Sequence, residues 1–265
     1  MRSGGRPGAA DVNLAPRRFR ARLPRPPRPA PVPSPRAPEI IAHRGTPREH
    51  AENSLPGFAR ALAIGVDGIE LDVHVTGDGV PVVHHDPTLG PGALAGRAIA
   101  ELSRDQLRAH EIAPGVAIPT LADVRDVVGG RATLYVEVKA RDAEAAVAAA
   151  LDGLGERAPV HSFDHRVSRR VRELAPRTPA GILSTSYLVD TVAAMRTADA
   201  RDLWQHWTMV DEVLADAVHA AGGRVIAWTV NDPAVAVALA AAGVDGVCTD
   251  VPATIAEALG APRAR

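Results

Sequence analysis

The 265-residue chain is long enough for one large domain, and its 46% hydrophobic residues suffice to fill a core of that size, while its formal charge at pH 7 is only −1. A single cysteine, Cys248, excludes an internal disulfide and a thiolate zinc cluster, and an aromatic content of 3% leaves little for the stacking platforms that bind single-stranded nucleic acid. The longer apolar runs, such as Ala234 to Ala242, fall well short of the roughly 20 residues needed to cross a bilayer, so no stable membrane insertion is expected.

Residues 1–38 form a leader with nine arginines and one acid, Asp11; its charge of +8 leaves −9 for residues 39–265. The leader is Pro-rich and lacks an apolar h-region, which predicts a disordered arm rather than a secretory signal and places the protein in the cytoplasm. From Glu39 onward, strand-like and helix-like patterns alternate about eight times, the signature of a parallel α/β architecture in one domain over residues 39–265. Strands are predicted at 39–43, 67–75, 134–139, 159–162, 179–183, about 203–206, 224–229 and 244–248. Several are apolar on both faces, as buried parallel strands are.

Glu70 to Val75, the turn Thr76-Gly77-Asp78-Gly79 and Val80 to His84 read as a strand, a tight turn and a returning strand, because Asp-Gly supplies the positive φ a hairpin needs. That return delivers His85 back toward Glu70 and Asp72. Residues 90–118 read as a modest flap with one short helix near Ser103 to His110. Thr120 with Asp123 predicts a capping box and Gly129 a helix stop, Asp232-Pro233 a second helix start, and Gly65, Gly222 and Gly243 further stops.

Acidic, basic and imidazole side chains collect where the strands stop: His43-Arg44-Gly45, Glu70-Leu71-Asp72, His85-Asp86 and Glu137-Val138-Lys139. A parallel barrel places its active site at those ends. Residues i and i+2 of a strand share a face, so Glu70 and Asp72 project together and repel unless a cation lies between them. Glu137, ending the next barrel strand, can add a third oxygen, an environment that suits Mg²⁺ or Ca²⁺ better than zinc. The same acids could instead pair with Arg44 and Lys139. His43 and His85 should converge on one rim, where one imidazole removes a proton and the other donates one. Arg44 and Lys139 add fixed positive charge, which points to an anionic small-molecule substrate with phosphate the leading candidate. His74 shares the face of Glu70 and Asp72 but lies farther along, and His84 faces the opposite way. His161, His165, His206 and His219 have no partner visible in sequence and read as surface or capping residues; Cys248 reads as a buried small hydrophobe.

These groups, together with Glu52-Asn53-Ser54, Asp78-Gly79, His85-Asp86-Pro87-Thr88-Leu89, Ile118-Pro119-Thr120-Leu121, Ser162-Phe163-Asp164, Trp228-Thr229-Val230-Asn231, Gly243-Val244-Asp245-Gly246 and Thr249-Asp250, occur in an order that resembles the glycerophosphodiester phosphodiesterase family over about residues 39–256. The resemblance implies a (β/α)₈ TIM-type barrel, one divalent cation on Glu70, Asp72 and Glu137, and His43 as general base with His85 as general acid. It also implies Arg44 and Lys139 as phosphate-side cations. Glu52, just before a helix expected to start near Asn53, reads as an orienter of His43 or Arg44. Trp228 reads as an apolar wall for the glycerol or alcohol moiety, or as barrel packing.

Two departures bear on substrate rather than on reaction class. Gly90-Pro91-Gly92 follows Leu89 where the family usually has Asp-Arg, and Val251-Pro252 follows Asp250 where Arg-Pro is common. The expected reaction is metal-dependent cleavage of a glycerophosphodiester to glycerol 3-phosphate and an alcohol. Its rivals are lysophospholipase D or phosphoinositide phospholipase-like lipid cleavage, for which residues 90–118 offer few large hydrophobics as a membrane-facing rim, and a catalytically silent binding barrel. Sequence alone leaves oligomeric state open. Because an Arg- and Pro-rich segment without apolar periodicity contributes no core face, deleting residues 1–38 is expected to leave the melting temperature and turnover unchanged, as checked by calorimetry and a product-release assay.

Overall fold

The computed structural model describes Met1 and residues 37–260. The Arg/Pro-rich arm expected over 1–38 therefore lies, apart from its ends, outside the described residues. In chain order the strands are β1 (Glu39–His43), β2 (Gly68–Val75), β3 (Pro81–Val83), β4 (Glu111–Ala113), β5 (Val116–Ala117), β6 (Thr133–Val138), β7 (Val160–Ser162), β8 (Ala180–Ser184), β9 (Ala200–His206), β10 (Arg224–Trp228) and β11 (Gly246–Thr249). β1, β2, β6, β7, β8, β9, β10 and β11 pair in parallel, each with the next, and β11 pairs with β1 to close a TIM-type barrel of eight strands. All eight strands expected from the sequence are present, with ends that shift by at most three residues.

Alternation of side chains divides each barrel strand between two cores. Ile40 and Ala42, Ile69, Leu71 and Val73, and Leu134, Val136 and Val138 face the helices and join the main core. Ile41, Tyr135, Leu183, Trp204, Ile226 and Cys248 fill the barrel interior. Below this plug the Tyr135 hydroxyl donates to Glu39 Oε2 at 2.5 Å, and Arg224 Nη2 lies 2.9 Å from Glu39 Oε1. Above it, at the ends of β1, β2, β6 and β7, the inward residues turn polar. Cys248 is fully buried, as its sequence pattern indicated.

Helices return the chain between strands: α1 (Leu55–Ile64), α2 (Arg104–Leu107), α3 (Leu121–Val128), α4 (Glu144–Ala150), α5 (His165–Leu174), α6 (Thr191–Thr197), α7 (Glu212–Ala220), α8 (Pro233–Ala241) and α9 (Pro252–Ala258). The predicted capping box at Thr120 and Asp123 forms at α3, and Asp232 caps α8 in front of Pro233. α1 begins at Leu55, two residues past the expected start near Asn53, because the Ser54 hydroxyl accepts from the Gly57 amide and caps the helix. Among the described residues no helix is long and apolar enough to cross a membrane.

The hairpin also forms. β3 runs antiparallel to β2 with Val73 opposite Val83, and the His84 amide donates to the Asp72 carbonyl at 3.0 Å. The flap holds more structure than its sequence suggested. Besides α2 it contains a 3₁₀ turn (Ile99–Glu101) and the ribbon of β4 and β5, strands of three and two residues too short to show a periodicity. Its Leu89, Ile99, Leu102, Leu107 and Ile118 bury one another with Val82, so they present no apolar rim to solvent.

Gly68 opens β2 where the Tyr135 ring crosses the barrel interior, and a Cβ there would lie 2.6 Å from Tyr135 Cε2. Gly68→Ala is expected to destabilise the fold by about 1 to 3 kcal/mol, the usual cost of overpacking, read as a lower denaturant midpoint at unchanged slope.

Candidate active site

Strand register assembles the polar end of the barrel. His43 of β1 pairs with Glu70 of β2, Asp72 of β2 with Glu137 of β6, and Glu137 with His161 of β7. Four neighbouring strands thus deliver two imidazoles and three carboxylates to one arc. Just past β1, Arg44 (φ 52°) and Gly45 (φ 87°) turn the chain sharply, and at Gly45 a Cβ would lie 2.9 Å from the Gly57 carbonyl carbon. This turn folds the Arg44 guanidinium back over the carboxylates. Its Nε lies 3.0 Å from Asp72 Oδ2, its Nη1 donates to both oxygens of Glu52, and its amide donates to Glu70 Oε2 at 3.2 Å. Lys139 places Nζ 2.9 Å from Glu137 Oε1 and 3.4 Å from Asp72 Oδ1, so Asp72 and Glu137 share one ammonium.

Burial and like charge act unequally on the three acids. Burial first, then the charges of Asp72 and Glu137, push the Glu70 carboxyl well above its ordinary value. Burial and Asp72 push Glu137 up to about 7 against the pull of Lys139. Burial would also raise Asp72, but Arg44, Lys139 and a hydrogen bond from Asn53 Nδ2 at 2.8 Å outweigh it and hold this carboxyl below the usual range. Asp72 is therefore the permanent anion of the cluster. Asn53 is fully buried in a left-handed conformation, and its Oδ1 accepts from the Asp72 amide, so it clamps that residue on two sides.

Each rim histidine is held by an aspartate. His43 Nδ1 lies 2.7 Å from Asp250 Oδ1, and Asn231 Nδ2 donates to Asp250 Oδ2 at 2.7 Å. Burial opposes the charge on Asp250, yet the bonds from His43 and Asn231 keep its carboxyl below the ordinary value. A carboxylate accepts only, so Nδ1 carries the proton and Nε2 faces Glu70 Oε2 at 3.9 Å. His85 Nδ1 likewise lies 2.8 Å from Asp86 Oδ1, and its carbonyl accepts from His74 Nε2 at 3.0 Å. His85 is near enough to Asp72 for its charge to favour that carboxylate. Trp228 ends β10 half-buried, with Phe163 and His206 edge-on to its indole at 5.6 and 5.4 Å.

His43, Arg44, Glu52, Glu70, Asp72, Glu137 and Lys139 thus meet in one network, with His85 beside it and Trp228 on the β10 side. Three residues of this region escaped the sequence reading. Asp250 and Asn231 had no spacing that tied them to His43, 207 and 188 residues away. His161 is a correction. It is not a surface or capping residue but is 1% exposed, stacked on Trp204 with ring centroids 4.0 Å apart, and its Nε2 is 3.8 Å from Glu70 Oε1. Its place on an inward position of a three-residue strand was too short a signal to read.

The donors suit a cation. Glu70, nearly fully buried, accepts from the Arg44 amide, and Asp72 Oδ1 accepts no hydrogen bond. Ligand atoms of Glu70, Glu137 and His161 all lie within 4.8 Å of one another. Three buried carboxyls against two fixed cationic side chains leave a negative excess for a hard divalent ion to neutralise.

The sequence profile of the glycerophosphoryl diester phosphodiesterase family matches residues 43–254. The chain is 31% identical over 231 residues to the glycerophosphodiester phosphodiesterase of Caldanaerobacter subterraneus subsp. tengcongensis, covering 82% of this chain and 95% of that protein. Its fold is similar to that of an Oleispira antarctica phosphodiesterase solved with the product sn-glycerol-3-phosphate, with a TM-score of 0.76, 26% identity and coverage of 84% and 97% of the two chains. A Parabacteroides distasonis glycerophosphodiester phosphodiesterase is similar to the same degree, with a TM-score of 0.76, 25% identity and coverage of 84% and 97%.

Because ionised Glu70 is penalised only in the folded state, Glu70→Gln is expected to raise the stability of chelator-treated protein. The sign follows from linkage: a carboxyl whose folded pKa is raised costs stability as pH climbs above its unfolded value of 4.5. The advantage of the variant should therefore be absent below about pH 4 and grow to about 1 kcal/mol or more by neutral pH, measured by denaturation at several pH values.

Proposed function

The chain belongs to the glycerophosphoryl diester phosphodiesterase family and is an enzyme of that activity, and from that premise we propose that it is metal-dependent and releases glycerol 3-phosphate and an alcohol. The observation that carries this reading is the buried arc of Glu70, Asp72 and Glu137 under Arg44 and Lys139, flanked by two histidines each bound to an aspartate. Glu70, Asp72 and Glu137 would hold the divalent cation. When bound, it would draw charge from a phosphate oxygen and lower the pKa of the attacking group, water or the substrate's own glycerol hydroxyl.

Arg44 and Lys139 neutralise the phosphate, the forked guanidinium matching two oxygens at once. Glu52 fixes the fork by accepting two hydrogen bonds on Nη1. Asp250 holds His43 in the tautomer whose Nε2 lone pair faces the cluster, which makes His43 the proton acceptor. His85, its Nδ1–H turned to Asp86, delivers a proton from Nε2 to the departing alkoxide. Trp228 walls the mouth on the side opposite the flap. The product bound by the Oleispira neighbour, sn-glycerol-3-phosphate, is the one this reading assigns.

A second reading, cleavage of a monoacyl lipid, gains one observation. Phe163, Tyr187 and Met209, in the loops after β7, β8 and β9, are 49%, 45% and 40% exposed, so an apolar edge exists away from the flap. Parallel assays of glycerophosphodiesters with and without one acyl chain, each with Mg²⁺, Ca²⁺ and Mn²⁺, separate the two.

His43→Ala and His85→Ala are each expected to lower turnover about 10²-fold or more with unchanged melting temperature, since both side chains end at the rim. A p-nitrophenyl ester should restore the His85 variant, whose leaving group then needs no proton, and leave the His43 variant slow. Asp250→Asn should follow the His43 pattern. Near-normal turnover in either alanine variant removes that histidine from the mechanism.

A further inference from the structure

We propose that His161 is a nitrogen ligand of the divalent cation, so that the centre favours borderline ions of the Mn²⁺ to Zn²⁺ series over Mg²⁺ and Ca²⁺. This rests on the metal-dependent reading above and assigns the class of ion.

The ring is 1% exposed, at the inward position of β7 directly beside Glu137 in the strand register. Nδ1 has no hydrogen-bond partner, and Nε2 stands 3.8 Å from Glu70 Oε1, too far for a hydrogen bond. With neither ring nitrogen in a hydrogen bond, nothing else competes for a lone pair on the Nε2 edge that faces Glu70. Two ligands about 2.1 Å from one centre stand roughly 3 to 4.2 Å apart, so the observed separation of 3.8 Å already fits a shared ion.

The ring is also held for that role. Trp204 stacks on it with planes 10° apart, and at Gly181 on the next strand a Cβ would lie 3.2 Å from both His161 Cβ and Trp204 Cδ1, so only glycine leaves the stack undisturbed. Asp72, meanwhile, is engaged by Arg44, Asn53 and Lys139, whereas His161 competes for nothing else. An imidazole among carboxylates moves a site from the all-oxygen preference of Mg²⁺ and Ca²⁺ toward later ions.

The test uses the full chain, stripped of metal and reloaded with Mn²⁺, read by electron spin echo for ¹⁴N coupling and by calorimetry for Mn²⁺ and Mg²⁺ affinity. The coupling should be present in the wild type, kept in His43→Gln and lost in His161→Gln. The preference for Mn²⁺ over Mg²⁺ should fall at least about tenfold in His161→Gln, with Mg²⁺ affinity little changed. Mn²⁺ bound without nitrogen coupling in the wild type, or coupling that disappears only in His43→Gln, overturns the assignment and leaves an oxygen-ligated metal enzyme. Failure of both ions to bind overturns it together with the metal-dependent reading. The wild-type spectrum decides the case even if a variant folds poorly.

Discussion

Everything at the open end of this barrel is arranged around three carboxyls that the closed sheet buries together. Glu70 and Asp72 share the inner face of β2, and the register of β6 sets Glu137 beside them. Like charges at that spacing in a dry environment are tolerated only with cations close by or with protons retained. Both occur here. Arg44 and Lys139 converge on Asp72 and keep it ionised, while Glu70 and Glu137 hold protons more readily than carboxyls in water. Burying the cluster thus costs the chain stability, a cost that the cation of the proposed reading would offset.

The imidazoles around it are each immobilised by a different partner. Asp250 sets the tautomer of His43, Asp86 binds His85, and Trp204 fixes the plane of His161. A hydrogen bond to one ring nitrogen decides what the other can do. The two rim rings are bound at Nδ1 and partly exposed, which suits the proton transfers proposed for them. The buried ring has no hydrogen-bonded partner and turns Nε2 to Glu70, which suits the ligand role proposed for it.

The backbone serves the same end. Left-handed Arg44, Gly45 and Asn53 bend the loop after β1 so that a guanidinium and an amide both reach Asp72. The β2–β3 hairpin reverses the chain and brings His85 level with that residue, and the flap that follows packs a small core of its own onto Val82 of β3 and bonds to the hairpin turn through Gly77 and Asp78. Alteration of the flap should therefore change what reaches the site more than the site itself.

Much of this was legible along the chain because it depends on local periodicity. Strand-like patterns alternating with helix-like ones marked all eight barrel strands, least clearly about 203–206, Asp-Gly marked the hairpin, Thr120 and Asp123 marked a cap, and i, i+2 spacing put Glu70 and Asp72 on one face. Those features are determined within a few residues of sequence. What only the tertiary structure decided is which distant side chains meet. Closure of β11 onto β1 brings Asp250 to His43, and β7 docks a solitary histidine against Glu70. No periodicity encodes such meetings, because they arise from strand order and register around a closed sheet, where residues more than 200 positions apart become neighbours.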